Sequence, residues 1–188
     1  PLMEKELALS VVDSDADFVS LREEWNRLLE TSGSGGVCMR WEWLHTWWDV
    51  YRDRDARLCV LLLRDADGLL VGLAPFYIQI RKRLGLRVRI LRFLGTGEPE
   101  WEEVASEYLD IAALRGFEER VAERVWNFLR AQRCWDQLIL NDVLENSLVL
   151  TALRRALGDE KISIDLETVG VRYSVALPRS REEYIAKL

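Results

Sequence analysis

Residues 38–51 read CMRWEWLHTWWDVY, and no other stretch limits the possible folds as tightly. It carries four of the chain's eight tryptophans and its single histidine. Leu44, Trp47, Trp48 and Tyr51 recur at i, i+3, i+4 and i+7, the spacing of one helical face. Burying one Trp or Tyr takes about 150–250 Å² out of water, so a short helix with such a face needs other elements closed over it. This segment is expected as a helix at the centre of a core. His45 falls on the opposite side, has no Ser or Cys at triad spacing, and reads as a surface or capping residue.

Periodicity and breakers place the other elements. Residues 5–12 predict a short strand, and Asp13, Ser14 and Asp15 offer N-caps for a helix reaching Leu29. TSGSGG at 31–36 ends that helix in a flexible loop. Residues 57–64 are almost continuously apolar, as in a strand covered on both faces. DADG at 65–68 is a hairpin turn. A longer strand at 69–80 contains Gly72 and Pro75, and a proline there marks an edge or a bulge. A third strand at 86–94 follows a basic turn.

GTGEPEWEEVASE at 95–107 is an acidic loop between core segments, a common place for function. Beyond it come a strand at 108–113 with Asp110 in its middle, a helix at 117–132, a strand at 135–141 and a helix at 147–157. Two strands at 162–166 and 171–177 close the sheet. A last helix opens at 181–184 and the chain stops within its second turn, which sets the expectation of a longer polypeptide.

Charge and cysteine content narrow the function classes. The net charge is −6 and the pI near 5.0, whereas nonspecific nucleic-acid binding needs an excess of Lys and Arg. Arg81, Lys82, Arg83, Arg87, Arg89 and Arg92 form the one basic cluster. It reads either as a solvated, edge-protecting turn or as a patch for anions or a membrane surface. No apolar run is long enough to span a bilayer, and the first residues lack the apolar core of a signal peptide; a cytoplasmic location is the expectation. Cys38, Cys59 and Cys134 are far apart with no CxxC pair, and one histidine cannot complete a usual zinc site. Structural free thiols and no metal are expected.

The order of elements is α/β, with a mixed, largely antiparallel sheet flanked by helices. That order resembles the GNAT N-acetyltransferase fold, in which two early helices precede a three-strand meander. MRWEWLHTWWDVY, LVGLAPFYIQIRKRLGLRVRILRFLG, Tyr108-Leu109-Asp110, WDQLILNDVLENS and the closing SREEYIAKL together resemble the CelD/BcsL-type family of GNAT-like acetyltransferases linked to cellulose biosynthesis. Like the FemABX transferases, such proteins are regarded as tandem GNAT-like halves. The resemblance implies that residues 1–178 form an N-terminal GNAT-like half and that 179–188 start a helix leading to a second half. It also implies acyl transfer from acyl-CoA (acetyl-CoA) to an amine, hydroxyl or saccharide acceptor. A non-catalytic GNAT-like binding or scaffold module is the competing class.

A GNAT cofactor loop presents backbone N–H groups to a diphosphate at a helix N-terminus, with a family signature Q/R-x-x-G-x-G/A. Here that position reads Leu114-Arg115-Gly116-Phe117, with one glycine. The departure assigns acyl-CoA to the other half and acceptor contacts to this one. An attacking acceptor must lose a proton, and Glu98, Glu100, Glu102, Glu103, Asp110, Asp142 and Glu145 are the acids available. Asp110 is the catalytic candidate: flanked by Leu109 and Ile111, its carboxylate is either paired in the core or faces a cleft. Tyr108 would share its strand face. Trp43, Glu100, Trp101 and Tyr108 are the acceptor-binding candidates, the two indoles as stacking surfaces for a sugar or other planar group.

Overall fold

A computed structural model describes residues 6–32, 36–132, 134–156, 165–171, 173 and 178–185. The chain opens with β1 (Ala8–Val12), α1 (Asp15–Ser20) and α2 (Arg22–Thr31). Ser14 caps α1, its Oγ accepting from the Asp17 N–H at 3.1 Å. The single helix expected here divides at Leu21, whose N–H turns back to the Phe18 carbonyl in a tighter closure. A short 3₁₀ turn (Val37–Met39) leads into α3 (Trp41–Tyr51). Leu44, Trp47 and Trp48 are buried on α3, and so is Trp41, which lies outside the expected stripe. His45 is not a bare surface residue: it stacks on Trp41 at 4.2 Å between centroids.

The meander follows as β2 (Arg57–Arg64), β3 (Leu70–Arg83) and β4 (Leu86–Phe93). After it come β5 (Ala112–Ala113), α4 (Glu118–Gln132), β6 (Gln137–Leu138), α5 (Leu148–Ala156) and α6 (Arg181–Ile185). The sheet runs β1-β2-β3-β4-β6, with β5 also on β3. All pairings are antiparallel except that of β4 with β6. The fold is therefore mixed α/β, with a mostly antiparallel sheet and helices against it. Expected closing strands at 162–166 and 171–177 lie largely outside the described residues, and 165–171 and 173 take no regular structure. Residues 33–35 of the Gly-rich loop also lie outside.

β3 changes partner along its length. Its residues 76–83 pair with β4, and Gly72 and Leu73 pair with β5. β4 and β5 thus share one lane beside β3, interrupted by an excursion of residues 94–111. This resolves Pro75, which sits in an interior strand rather than at an outer edge. The N and C=O of one strand residue face the same neighbour, and the Pro75 carbonyl accepts from Leu94 N at 2.8 Å. Its missing N–H therefore points into the gap between β4 and β5, where no ladder partner is due. The register shift on β3 falls opposite Leu63 and Arg64 instead.

α4 crosses from β5 to β6 and packs hard on the sheet. A Cβ on Gly72 would lie 2.5 Å from Val121 Cγ2, so only a glycine lets the helix come this close. The basic hairpin 81–89 is laced to acids: Arg81 meets Asp53 at 3.6 Å and Arg87 meets Asp55 at 3.7 Å. Asp136 accepts from the Arg89 backbone N–H at 2.8 Å and from its guanidinium Nη2 at 2.7 Å, fastening β6 to β4. These contacts favour the solvated-turn reading of the basic cluster.

The Arg89 side chain and backbone hydrogen bonds hold the Asp136 carboxyl down to about 2, below its ordinary value of 3.8. Glu42, bonded by Arg22 and Asn26 across α2 and α3, is held down to about 2 for the same kind of reason. A depressed folded pKa gives stability that is full above the unfolded value, about 4, and lost as pH falls through the folded value. Chemical denaturation between pH 5 and pH 2 should show a steep acid loss. The loss should be shallower in Asp136→Asn; an identical acid limb would remove Asp136 from the account.

Candidate functional site

The four indoles of α3 make it a hub. Trp41 Nε1 donates to the Phe18 carbonyl at 2.9 Å and Trp48 Nε1 to Asp15 at 2.9 Å, fixing α1. Trp43 Nε1 donates to Ser106 Oγ at 2.8 Å and Trp47 Nε1 to Glu98 Oε2 at 3.0 Å, fixing the 94–111 excursion. The other Glu98 oxygen accepts from Val104 N at 3.0 Å. Buried Tyr77 donates its O–H to the Thr96 carbonyl at 2.7 Å. Gly97 has φ +98°, and a Cβ there would stand 2.5 Å from the Tyr77 hydroxyl, so this corner admits no side chain. The acidic loop is a braced structure rather than a free tether.

Asp110 sits where the excursion rejoins the sheet. Its Oδ2 accepts from Leu148 N at 2.7 Å, and its Oδ1 accepts from Val149 N and Ile111 N, each at 2.8 Å. It thus caps α5 from outside that helix, beside Ser147, whose Oγ accepts from Leu150 N at 3.3 Å, and puts a carboxylate at the positive end of the helix dipole. Of the two alternatives read from its neighbours, the carboxylate takes the paired one. Burial pushes its carboxyl above the ordinary value, and the three N–H groups pull it back.

Tyr108 does not share a strand face with Asp110. The strand expected at 108–113 shrinks to Ala112–Ala113, because Tyr108 adopts φ +60° and its N–H bonds the Asp142 carbonyl at 2.9 Å. Trp43 is half-buried against the core. Glu100 and Trp101 occupy a single 3₁₀ turn (Glu100–Glu102) at the outer end of the excursion, with Trp101 83% exposed. Trp43 and Asp110 are therefore half-buried and engaged by hydrogen bonds, whereas Glu100, Trp101 and Tyr108 are exposed.

The α4 N-terminus is the place to test for a diphosphate. Gly116 N is already bonded by Glu118 Oε2 at 2.7 Å, and Glu119 adds a second acid in the first turn. Phe117 packs against the core, with the Arg120 guanidinium 5.3 Å from its ring centroid. A carboxylate fills the anion position, and two negative charges would repel a diphosphate brought there. The residues present do not fit the diphosphate of acyl-CoA.

A cavity of about 800 Å³ opens elsewhere, past the C-terminal ends of α3 and α4, lined by Asp13, Trp48, Arg52, Arg57, Cys59 and Cys134 among others. It contains none of the catalytic or acceptor-binding candidates read from the sequence. Its two cysteines come from distant segments, and no local pattern signals that they meet. Among the described residues no helix is long and apolar enough to cross a membrane, and no group of three or more His, Cys, Asp or Glu could hold a metal ion.

No protein-family model and no curated protein sequence matches the chain. Among solved structures, it is similar to a ribosomal-protein-alanine N-acetyltransferase from Brucella melitensis biovar Abortus 2308. The identity is 14% and the TM-score 0.45, over 90% of this chain and 100% of that one. It is also similar to an aminoglycoside acetyltransferase from an uncultured soil metagenomic sample, in complex with trehalose. That match has 11% identity and a TM-score of 0.48, over 90% of this chain and 97% of the other. A third is an aminoglycoside 6'-N-acetyltransferase from Acinetobacter baumannii, with 12% identity and a TM-score of 0.44, over 90% and 100%. Likeness this distant bears on neither activity nor substrate, and the CelD/BcsL-type resemblance rests on the sequence motifs alone.

Proposed function

We propose that this chain is the acceptor-binding, GNAT-like half of an acyltransferase that moves an acyl group from acyl-CoA to an amine or hydroxyl acceptor. In this reading residues 1–178 are the first half and residues 179–188 begin the helix to a second GNAT-like half, which holds acyl-CoA. The observation that carries the division of labour is the α4 N-terminus, where Glu118 occupies the anion position. The sequence motifs supply the reaction class, and with it a role in cytoplasmic steps of polysaccharide or cell-envelope synthesis.

The acceptor would lie along the 94–111 excursion. The exposed Trp101 ring offers a stacking face for a saccharide and Glu100 a charge for an amine or hydroxyl. Trp43 and Tyr108 would support the inner side, Trp43 through its ring, since its N–H is engaged by Ser106. Asp110 remains the candidate base for the acceptor's proton, with its capping bonds as the rival role. The second reading, a binding or scaffold module without catalysis, draws on the same filled α4 N-terminus.

Calorimetric titration of residues 1–188 with acetyl-CoA should show no tight binding, and tight binding would overturn the assignment of the cofactor to another half. The longer protein should consume acyl-CoA while residues 1–188 alone show little turnover. A longer protein that leaves acyl-CoA untouched would favour the non-catalytic module.

A further inference from the structure

The cavity at the ends of α3 and α4 holds a pair of thiols that the proposed acyl transfer does not use. Cys59 lies on β2 and is 4% exposed; Cys134 lies in the link from α4 to β6 and is half-buried. Both line the cavity, and their side chains adjoin closely enough to act on each other. Arg52, Arg54 and Arg57 share its wall with Asp13, Asp15 and Asp53, so its charges balance. Cys38, the third cysteine, is buried in the main core away from this wall.

The thiols are not equivalent. The contact with Cys59 holds the Cys134 thiol below its ordinary value against the opposing effect of burial, with its own backbone N–H and Arg89 adding to the lowering. The same contact pushes the Cys59 thiol up, and burial and the neighbouring charge reinforce the shift. The more exposed Cys134 sulfur is thus the one a reagent meets first and the buried Cys59 sulfur stands behind it, the arrangement of an attacking and a resolving thiol.

We propose that Cys59 and Cys134 form a redox-active dithiol that reacts with a low-molecular-weight disulfide entering the cavity. The Cys134 thiolate attacks one sulfur of R–S–S–R; the new Cys134–S–S–R bond forms, the old S–S bond breaks, and R–S⁻ leaves. Converting Cys134 to a mixed disulfide removes the negative charge that kept the proton on Cys59. Cys59 then gives its proton to R–S⁻, attacks the Cys134 sulfur and expels the second R–S⁻, which takes a proton from water. The two thiols are oxidised to one disulfide and R–S–S–R is reduced to two R–SH. The product ties β2 to the segment leading into β6, closing the cavity wall covalently.

The test uses bis(2-hydroxyethyl) disulfide, a neutral probe, on the folded wild-type chain at neutral pH, read by intact mass and by peptide mapping without reduction. The expected product has lost two hydrogen atoms, keeps one free thiol of the original three, and yields a peptide joining Cys59 to Cys134. Cys59→Ser should stop at a mixed disulfide on Cys134, Cys134→Ser should react far more slowly, and Cys38→Ser should behave as wild type. The wild-type peptide map reports the connectivity whether or not a Ser variant folds. No reaction without denaturant, a wild-type chain halted at the mixed disulfide, or Cys38 modified as fast as Cys134 would each overturn the proposal.

Discussion

Trp47→Ala is expected to cost about 3–5 kcal/mol of unfolding free energy, the range for removing a buried aromatic side chain. Trp47 is 3% exposed, and its ring lies 5.3 Å from Tyr77 and 5.9 Å from Tyr51 between centroids. Partial collapse cannot fill the space, because Tyr77 is itself held in place through its bond to the Thr96 carbonyl. Trp47→Phe separates packing from hydrogen bonding. It keeps most of the ring contact and removes the donor to Glu98, which water can replace at a half-buried carboxylate, for about 0.5–1.5 kcal/mol. Its mark should be local, as faster hydrogen exchange at Val104, whose N–H bonds the other Glu98 oxygen. Urea melts check the global value and exchange checks the local one. A loss under about 1 kcal/mol in Trp47→Ala would mean that α3 is not the hub described.

Features carried by neighbours in sequence were legible without coordinates. The stripe Leu44, Trp47, Trp48 and Tyr51 is periodic, so the face of α3 could be read directly. The Ser14 cap and the turn at 65–68 follow from residue type within four positions, and both formed, with Asp65 accepting from Asp67 N and Leu69 N. The α/β order and the antiparallel meander followed from the same local rules. What failed depends on partners far along the chain. Pro75 signals an edge correctly, but nothing local says that the edge is a gap between β4 and β5 inside the sheet. Tyr108 looks like a strand residue by type, yet its turn is imposed by Asp142 from another loop.

The candidate site divides in the same way. Its composition was visible, since the acids and Trp101 sit together in one loop. Its bracing was not, because the bonds from Trp43 to Ser106 and from Trp47 to Glu98 span 63 and 51 residues. The Cys59–Cys134 pair is the extreme case, as a thiol inside an apolar run gives no hint of a distant partner.

Asp110→Ala should destabilise the chain by about 2 kcal/mol, the upper end of losses for an N-cap. The variant leaves Leu148, Val149 and Ile111 N–H groups without their acceptor. The cost is not the sum of three charged hydrogen bonds, because it also relieves the desolvation that pushes this carboxyl up. Loss of the cap should appear first as fraying at Leu148 and Val149, seen by hydrogen exchange. Asp110→Asn keeps one acceptor oxygen and should cost about 1 kcal/mol or less. A raised folded pKa gives stability that is present below the unfolded value near 4 and lost as pH rises through the folded one. The advantage of Asp110 over Asn should therefore shrink as pH rises, the reverse of the Asp136 trend. These readouts separate the two roles of Asp110 in the tandem acyltransferase proposed above. A base that takes the acceptor's proton predicts that Asp110→Asn lowers turnover far more than stability; parallel losses in the two would leave Asp110 as the cap of α5 alone.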